Sequence, residues 1–468
     1  MKARRVVLIS LCPQVAQDEG SAPTRELMAR FPSYGISRIH AALASDPQLQ
    51  DTDIIFMDAR DATAEQLAAR ALEFEPDVLG VSFYVWSTAT LCDVARRVKE
   101  ERPECLVVAG GPSARPAVLD LAPFVRFRTA IDALVLGEGE ETMRAIVRDP
   151  SRERLAGVPG LAIFAGDRWT QTGEPVRSAS LDDIASPFQL DLMPSHHVTY
   201  LETFRGCPLS CTFCQWGVMD SGRHFSREYL VRELEAIKRS EPIATYLVDA
   251  GLNLNARAFR NLASAEEEVG LFQKTTLYCE VYPSLLNEEH LEFLRRASQV
   301  HIGLGLQSLD GSALAANQRP FKRERLIPTI EQLSRDCRVD IELILGLPGD
   351  TPESFRKTLE EVRKLPCSVR IYRCLILPDA LMTRAPKEFA IRFDPQTLFM
   401  TSCHTWSERE LRESQAYLDQ VAAATPGGYA GDYWWHLLHD SPRYQTAYDR
   451  VAGQRGVTTS ARGDARDV

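Results

Sequence analysis

The chain has 468 residues, with 54 Lys and Arg against 64 Asp and Glu, a formal charge of −10. At 44% hydrophobic and 25% charged residues, its composition is that of a globular protein able to bury a core, not of a disordered chain. The acidic balance lacks the basic footprint of a nucleic-acid binder, and no apolar run approaches the roughly 18 residues that span a bilayer.

At roughly 150 residues per domain the length suggests about three domains, or two plus an extension. Met1-Lys-Ala-Arg-Arg5 leads only into a short apolar run ending at Leu11, so no signal peptide is expected and a cytoplasmic location is the default. Eleven cysteines, an odd number at modest density, do not make a secreted disulfide scaffold. Cys105, Cys279 and Cys374 sit in apolar, strand-like runs as small buried hydrophobes.

Residues 1–150 alternate apolar strands with amphipathic helices. The strands are Val6–Leu11, Asp53–Met57, Val78–Phe83, Cys105–Ala109 and Ala133–Leu136, and Thr63-Ala-Glu-Gln66 resembles a capping box opening a helix with an apolar stripe. The alternation predicts a doubly wound, Rossmann-like α/β domain, whose ligands bind at the carboxyl ends of the strands. Those ends carry Cys12-Pro13, Ser82-Phe-Tyr-Val-Trp-Ser87, Gly110-Gly-Pro112 and Gly137-Glu-Gly-Glu140. Each loop alone reads equally well as an ordinary βα turn; together they favour a ligand face. Residues 151–195, with turn signals and one strand candidate at Leu161–Phe164, read as a connector holding a small hairpin.

A second alternation occupies residues 196–385. Its strands are Val198–Phe204, Ile243–Val248, Thr275–Val281, His301–Leu306, Asp340–Leu345 and Val369–Leu375, with helices such as Ser226–Arg239, Glu288–Ala297 and Pro352–Leu365. Six such units are too few for an eight-fold barrel, so a partial (β/α)6 barrel is predicted. Residues 386–468 read as an α-rich extension capping the barrel, with a disordered tail from Val457. Packing is the leading reading for Cys403, His404 and Tyr433-Trp-Trp-His436 there.

The most informative segment is Arg205-Gly-Cys-Pro-Leu-Ser-Cys-Thr-Phe-Cys-Gln-Trp-Gly217, directly after the first strand of the second alternation. Structural zinc needs four ligands, and His224 is the nearest fourth. Three thiolates on a 4Fe–4S cluster leave one iron open to a small-molecule ligand.

With this spacing, Cys207, Cys211 and Cys214 resemble the cluster motif of the radical S-adenosylmethionine (radical SAM) superfamily. His301–Ser308, Asn317-Gln-Arg-Pro-Phe321 and Leu345-Gly-Leu-Pro-Gly-Asp-Thr351 look like later barrel segments of its members that carry an N-terminal cobalamin-binding domain. So do the Ser82, Gly110 and Gly137 loops, and the resemblance covers about residues 1–385. It implies a 4Fe–4S cluster on the three cysteines, with SAM and cobalamin as cofactors. Cobalamin would lie on Ser82, Tyr84, Trp86, Gly110, Gly111, Gly137, Glu138 and Gly139, and SAM on Asp249, Glu280, Gln307, Ser308 and Arg319. Trp86 is the candidate to cover the lower face of the cobalt; its bland alternative is a core tryptophan. The sequence departs from the family twice. The loop after the first strand, Cys12-Pro-Gln-Val-Ala16, has no cobalt-ligating histidine, and Asp249-Ala-Gly-Leu-Asn-Leu-Asn255 replaces a Gly-Gly-Glu segment, with Asp249 or Asn253 as the substitute. Tyr372 and Arg373 are substrate-facing candidates, of which strand alternation admits one.

The resemblance implies methylation of an unactivated carbon of a small natural-product intermediate, by way of methylcobalamin and a 5′-deoxyadenosyl radical. A one-electron donor such as flavodoxin or ferredoxin is the implied partner, with neither nucleic acid nor membrane. Radical cyclisation, ring contraction or dehydration is the alternative, and a non-catalytic cobalamin or Fe–S sensor the alternative of another class.

Overall fold

The structure, a computed structural model, describes residues 4–12, 31–60, 62–218 and 222–439. The tail expected from Val457 to Val468 and the segment Pro13–Ala16 lie outside the described residues.

Val6 to Leu11 has no polar alternation, the pattern of a strand covered on both faces. It lies in β1 (Arg4–Leu11), near the middle of a seven-stranded sheet. The other strands are β2 (Thr52–Ala59), β3 (Val78–Ser82), β4 (Leu106–Gly110), β5 (Ala133–Val135), β6 (Leu161–Ala165) and β7 (Arg168–Gln171), in the order β2-β1-β3-β4-β5-β6-β7. The first five run parallel. Period-2 alternation divides the core. Val7, Ile9 and Leu79 pack with α2 (Ala64–Glu73) and α3 (Thr88–Glu101), while Val6, Leu8 and Val108 pack with α1 (Tyr34–Ala44) and α4 (Glu140–Arg148). The Thr63–Gln66 capping box forms and starts α2. The strand order reverses direction between β1 and β3, the switch point where such sheets open a crevice.

The connector hairpin is not free-standing. β6 pairs antiparallel with β5, and β7 with β6, so the hairpin covers an otherwise bare edge of the first sheet.

The second sheet holds β8 (Val198–Leu201), β9 (Ala244–Leu247), β10 (Thr276–Glu280), β11 (Gln299–Gln307), β12 (Arg338–Leu345) and β13 (Ser368–Arg373), all parallel. The helices α5 (Arg227–Arg239), α6 (Ala256–Val269), α7 (Glu288–Arg296), α8 (Arg323–Leu333) and α9 (Pro352–Val362) alternate with the strands. Leu201, Leu247, Leu277, Ile302, Ile341 and Ile371 join the helices in one core. The alternate positions carry Tyr200, Tyr246, Tyr278, His301, Asp340 and Glu342, a polar and aromatic lumen. Tyr246 stacks on Tyr278 at 4.3 Å, and Tyr278 meets His301 edge-on at 4.4 Å.

After a two-stranded sheet of β14 (Arg392–Phe393) and β15 (Met400–Ser402), the extension contributes α10 (Glu408–Ala424) and two strands, β16 (Tyr429–Ala430) and β17 (Trp434–Leu437). β17 pairs antiparallel with β13, giving an open eight-stranded sheet, β16-β17-β13-β12-β11-β10-β9-β8. The extension is therefore more than a cap laid over the barrel. Trp435 is buried in the helix-side core, while Trp434 meets Tyr372 and His436 meets Asp340 on the lumen side.

Candidate active site

One cavity of about 620 Å³ opens where the carboxyl ends of the first sheet meet the barrel, within the range of small-molecule sites. Ser82, Tyr84, Trp86, Gly110, Gly111, Gly137, Glu138 and Gly139 all line it. So does Cys12 at the end of β1, and so do Tyr34, Arg38, Tyr200, Glu202, Arg205 and Trp216, which the strand-end pattern did not single out.

Trp86 crosses the switch point. Its indole Nε1–H donates to the Leu11 carbonyl at the end of β1 (3.0 Å), its ring stacks on Tyr84 at 4.7 Å and 8°, and Tyr433 of the extension meets it edge-on at 6.4 Å. It is still 36% exposed, so it is a wall of the cavity and not a core tryptophan.

The glycines have different reasons. A Cβ on Gly110 would meet nothing within 4 Å, whereas on Gly111 (φ +94°) it would stand 2.7 Å from the Phe83 carbonyl oxygen. A Cβ on Gly137 would stand 2.7 Å from Pro175 Cβ, whereas one on Gly139 would meet only the tip of Ile39, at 2.9 Å.

Glu138 is already paired, with Arg205 at 2.9 Å and with Arg223. Arg205 also binds Glu140 (2.7 Å) and Glu202 (3.0 Å), and Glu202 reaches Arg38. Burial works to raise the Glu140 carboxyl, but the Arg205 guanidinium outweighs it and holds the group down to about 2.

The cysteine loop leaves β8 through Thr203 and Phe204. Buried Asp249, just past β9, accepts from Thr203 N–H (2.8 Å), Phe204 N–H (3.4 Å) and the Thr203 hydroxyl. Burial pushes its carboxyl up to about 7, against the lowering of these bonds. Asn253 is likewise engaged, exchanging two hydrogen bonds with the Tyr282 backbone. Both expected substitutes for the Gly-Gly-Glu segment therefore serve the backbone.

Within the loop, Cys211 is buried and Cys207 and Cys214 are half-buried. Thr212 pairs with Asn317 through backbone (3.1 Å) and side chain (2.9 Å). Arg384 donates to the carbonyls of Cys211 (2.9 Å) and Cys214. A Cβ on Gly217 would stand 2.2 Å from the Leu209 carbonyl oxygen, so only glycine closes the loop. Among the described residues no three His, Cys, Asp or Glu groups converge as a single ion requires. His224 lies against the Gly222 carbonyl instead.

Glu280, Gln307 and Arg319 gather around the two glycines of β11. A Cβ on Gly303 would clash with the Glu280 carboxylate, and one on Gly305 would approach the Gln307 amide at 2.8 Å. Arg319 donates to the Gly305 carbonyl, lies 3.9 Å from Cys211 Sγ and stacks over Tyr282 at 5.0 Å. Gln307 takes φ +71° at a register shift in β11, which ends the regular strand and turns its amide back over Gly305. Burial, reinforced by nearby Glu342, pushes the Glu280 carboxyl well above its usual range. Ser308, by contrast, is fully buried, and its hydroxyl accepts from Asp310 N–H (3.0 Å).

Glu342 was missed by the sequence reading, although Asp340-Ile-Glu-Leu343 shows the alternation that turns it into the lumen. It accepts from the Tyr372 hydroxyl at 3.0 Å. Of the Tyr372–Arg373 pair, Tyr372 faces inward and Arg373 lies outside, against Phe399 and Trp435. Cys403 and His404 pack locally, His404 stacking on Phe389 at 5.1 Å.

A doubly wound unit faces a partial barrel across one cavity, with three cysteines on the loop after the first barrel strand, a donor set that suits an iron–sulfur cluster with one open iron. Residues 25–147 match the B12 binding domain and residues 201–362 the radical SAM superfamily. The chain thus carries a B12-binding domain ahead of a radical SAM domain. The cofactors these two domain matches imply are a 4Fe–4S cluster, SAM and cobalamin.

The cobalamin-dependent radical SAM methyltransferase TokK of Streptomyces tokunonensis is 29% identical over 355 residues, covering 70% of this chain and 51% of that protein. The anaerobic magnesium-protoporphyrin IX monomethyl ester cyclase of Cereibacter sphaeroides is 26% identical over 332 residues, covering 66% of this chain and 53% of that protein. The chain thus spans about half the length of these curated relatives. The solved structure of the radical SAM methyltransferase TsrM from Kitasatospora setae, with tryptophan and a SAM analogue bound, shares the fold. Its TM-score is 0.63 at 17% identity, covering 81% of this chain and 75% of that one.

The residues fit these groups. Among the described residues the buried Tyr34 hydroxyl beside the cavity has no hydrogen-bond partner, and none occupies the space a side chain on Gly110 would fill. The thiol-only donor set on one rigid loop suits a cluster, which takes each cysteine on a separate iron. Among the described residues no helix is long and apolar enough to cross a membrane.

Proposed function

We propose that this chain is a cobalamin-dependent radical SAM methyltransferase that adds a methyl group to an unactivated carbon of a small molecule. One observation carries the reading: a single cavity is walled both by the strand-end loops of the B12-binding domain and by Tyr200, Glu202, Arg205 and Trp216 of the barrel and its cysteine loop. When bound, the cluster and SAM supply a hydrogen-abstracting radical, and cobalamin a transferable methyl group.

The chain's own residues divide the remaining tasks. Cys207, Cys211 and Cys214 would hold the cluster, and the Arg384 and Asn317 bonds fix the loop that carries them. Ser82, Tyr84, Gly110 and Gly111, with Gly137 and Gly139, would cradle cobalamin, and Trp86 would wall that site against water. Among the described residues no histidine lines the cavity, so a protein imidazole on cobalt is not expected. Glu280, Gln307 and Arg319 would bind SAM, Arg319 by its charge and the other two by their hydrogen-bonding groups. Asp249 and Ser308 would support the loops, and Glu138 would join the domains. A flavodoxin- or ferredoxin-like donor would provide the electron.

The similarity to a cyclase favours one second reading, ring closure without methyl transfer. Product counting separates the two. Methyl transfer consumes two SAM per turnover and yields one S-adenosylhomocysteine with one 5′-deoxyadenosine. 5′-Deoxyadenosine without S-adenosylhomocysteine, from cobalamin-loaded protein and its substrate, refutes the proposal.

A further inference from the structure

Each end of the cysteine loop is fastened to a different loop of the B12-binding domain. Two residues before Cys207, Arg205 binds Glu138 (2.9 Å) and Glu140 (2.7 Å), which flank Gly139 on the cavity wall. One residue after Cys214, Gln215 Nε2–H donates to the Pro112 carbonyl (3.1 Å), next to Gly110-Gly111, and to the Pro378 carbonyl of the barrel (2.8 Å). Arg115 and Asp379 run alongside this second pin, 2.6 Å apart. Neither pin has slack. Arg205 and its partners are nearly buried, so separating them strands charge away from water. The two amide hydrogens of Gln215 are both used, on opposite sides of the domain boundary.

Loops joined by buried, saturated contacts move together, because close-packed interfaces switch between discrete arrangements and do not deform continuously. We propose that Arg205 and Gln215 are positioning residues that couple the cobalamin cavity to the cluster loop, so that filling one site tightens the other. The proposal rests on the reading that these two loops hold cobalamin and the cluster. Linkage makes the effect reciprocal and of equal size in both directions.

The test uses the full chain and hydroxocobalamin, whose dissociation constant is read from its absorption spectrum. It is measured on iron-free protein and again after cluster reconstitution; the release of iron to a chelator is timed with and without cobalamin. The reconstituted protein should bind hydroxocobalamin at least about 5-fold more tightly, within the range of about 5- to 150-fold for coupled sites. Iron should leave more slowly when cobalamin is bound. In Arg205→Gln and in Gln215→Ala the ratio of the two dissociation constants should fall toward one. A clasp that only joined the domains would weaken both constants alike and preserve the ratio. A wild-type ratio of one, or a ratio preserved in the variants, overturns the coupling while leaving the proposed function standing. Binding by neither form overturns both. If Arg205→Gln does not fold, Gln215→Ala, which removes only two neutral hydrogen bonds, decides the matter, with circular dichroism as the check on folding.

Discussion

Replacing Glu140 by Gln removes one negative charge from the domain boundary and preserves shape. The carboxyl is buried and held down to about 2, from an ordinary 4.5, by the adjacent Arg205. At about 1.4 kcal/mol per pH unit this corresponds to roughly 3 kcal/mol at neutral pH. The sign follows from the lowered value: the contribution is complete above about pH 4.5 and is lost as pH falls toward 2. By the same linkage, less than half of it remains at pH 3. Denaturant unfolding of the cluster-free chain, followed by tryptophan fluorescence, should therefore show Glu140→Gln destabilised by about 3 kcal/mol at pH 7 and by less than half of that at pH 3. Equal destabilisation at both pH values would refute the electrostatic reasoning and point to altered packing of α4 instead.

Two adjacent glycines should behave oppositely. Gly111→Ala should destabilise by about 1–3 kcal/mol in a thermal melt, given its φ of +94° and the 2.7 Å approach to Phe83, whereas Gly110→Ala should leave the melt unchanged and weaken hydroxocobalamin binding. Arg384→Met should cut the iron retained after desalting several-fold, since two loop carbonyls lose their charged donor. Replacing Cys207, Cys211 and Cys214 together by Ala should abolish iron binding without unfolding the first sheet, as seen by iron analysis and circular dichroism; retained stoichiometric iron contradicts the cluster assignment. Electron paramagnetic resonance of the cob(II)alamin form should lack nitrogen splitting from a protein imidazole, and its presence would contradict the histidine-free cavity.

By itself the sequence determined what is local in the chain. Val6–Leu11 and the strand-like runs after it carry their own periodicity, Thr63–Gln66 its own cap, and Cys207–Cys214 their own spacing, because each depends on residues a few positions apart. That sufficed for the two alternating α/β units and for the glycine and aromatic loops that meet at one cavity. Only the tertiary structure decided who partners whom. Glu138 reads as a ligand-facing acid at a strand end, and only the fold shows that Arg205, 67 residues away, binds it as well. Asp249 reads as a cofactor contact, and only the fold shows that Thr203, 46 residues away, donates to both its oxygens. Trp434–Leu437 looks like a cap until β13 offers an unpaired edge. Periodicity states which way a side chain points relative to its own strand. Whether a buried charge or an open edge finds its partner within the protein or remains for a ligand depends on how distant segments pack.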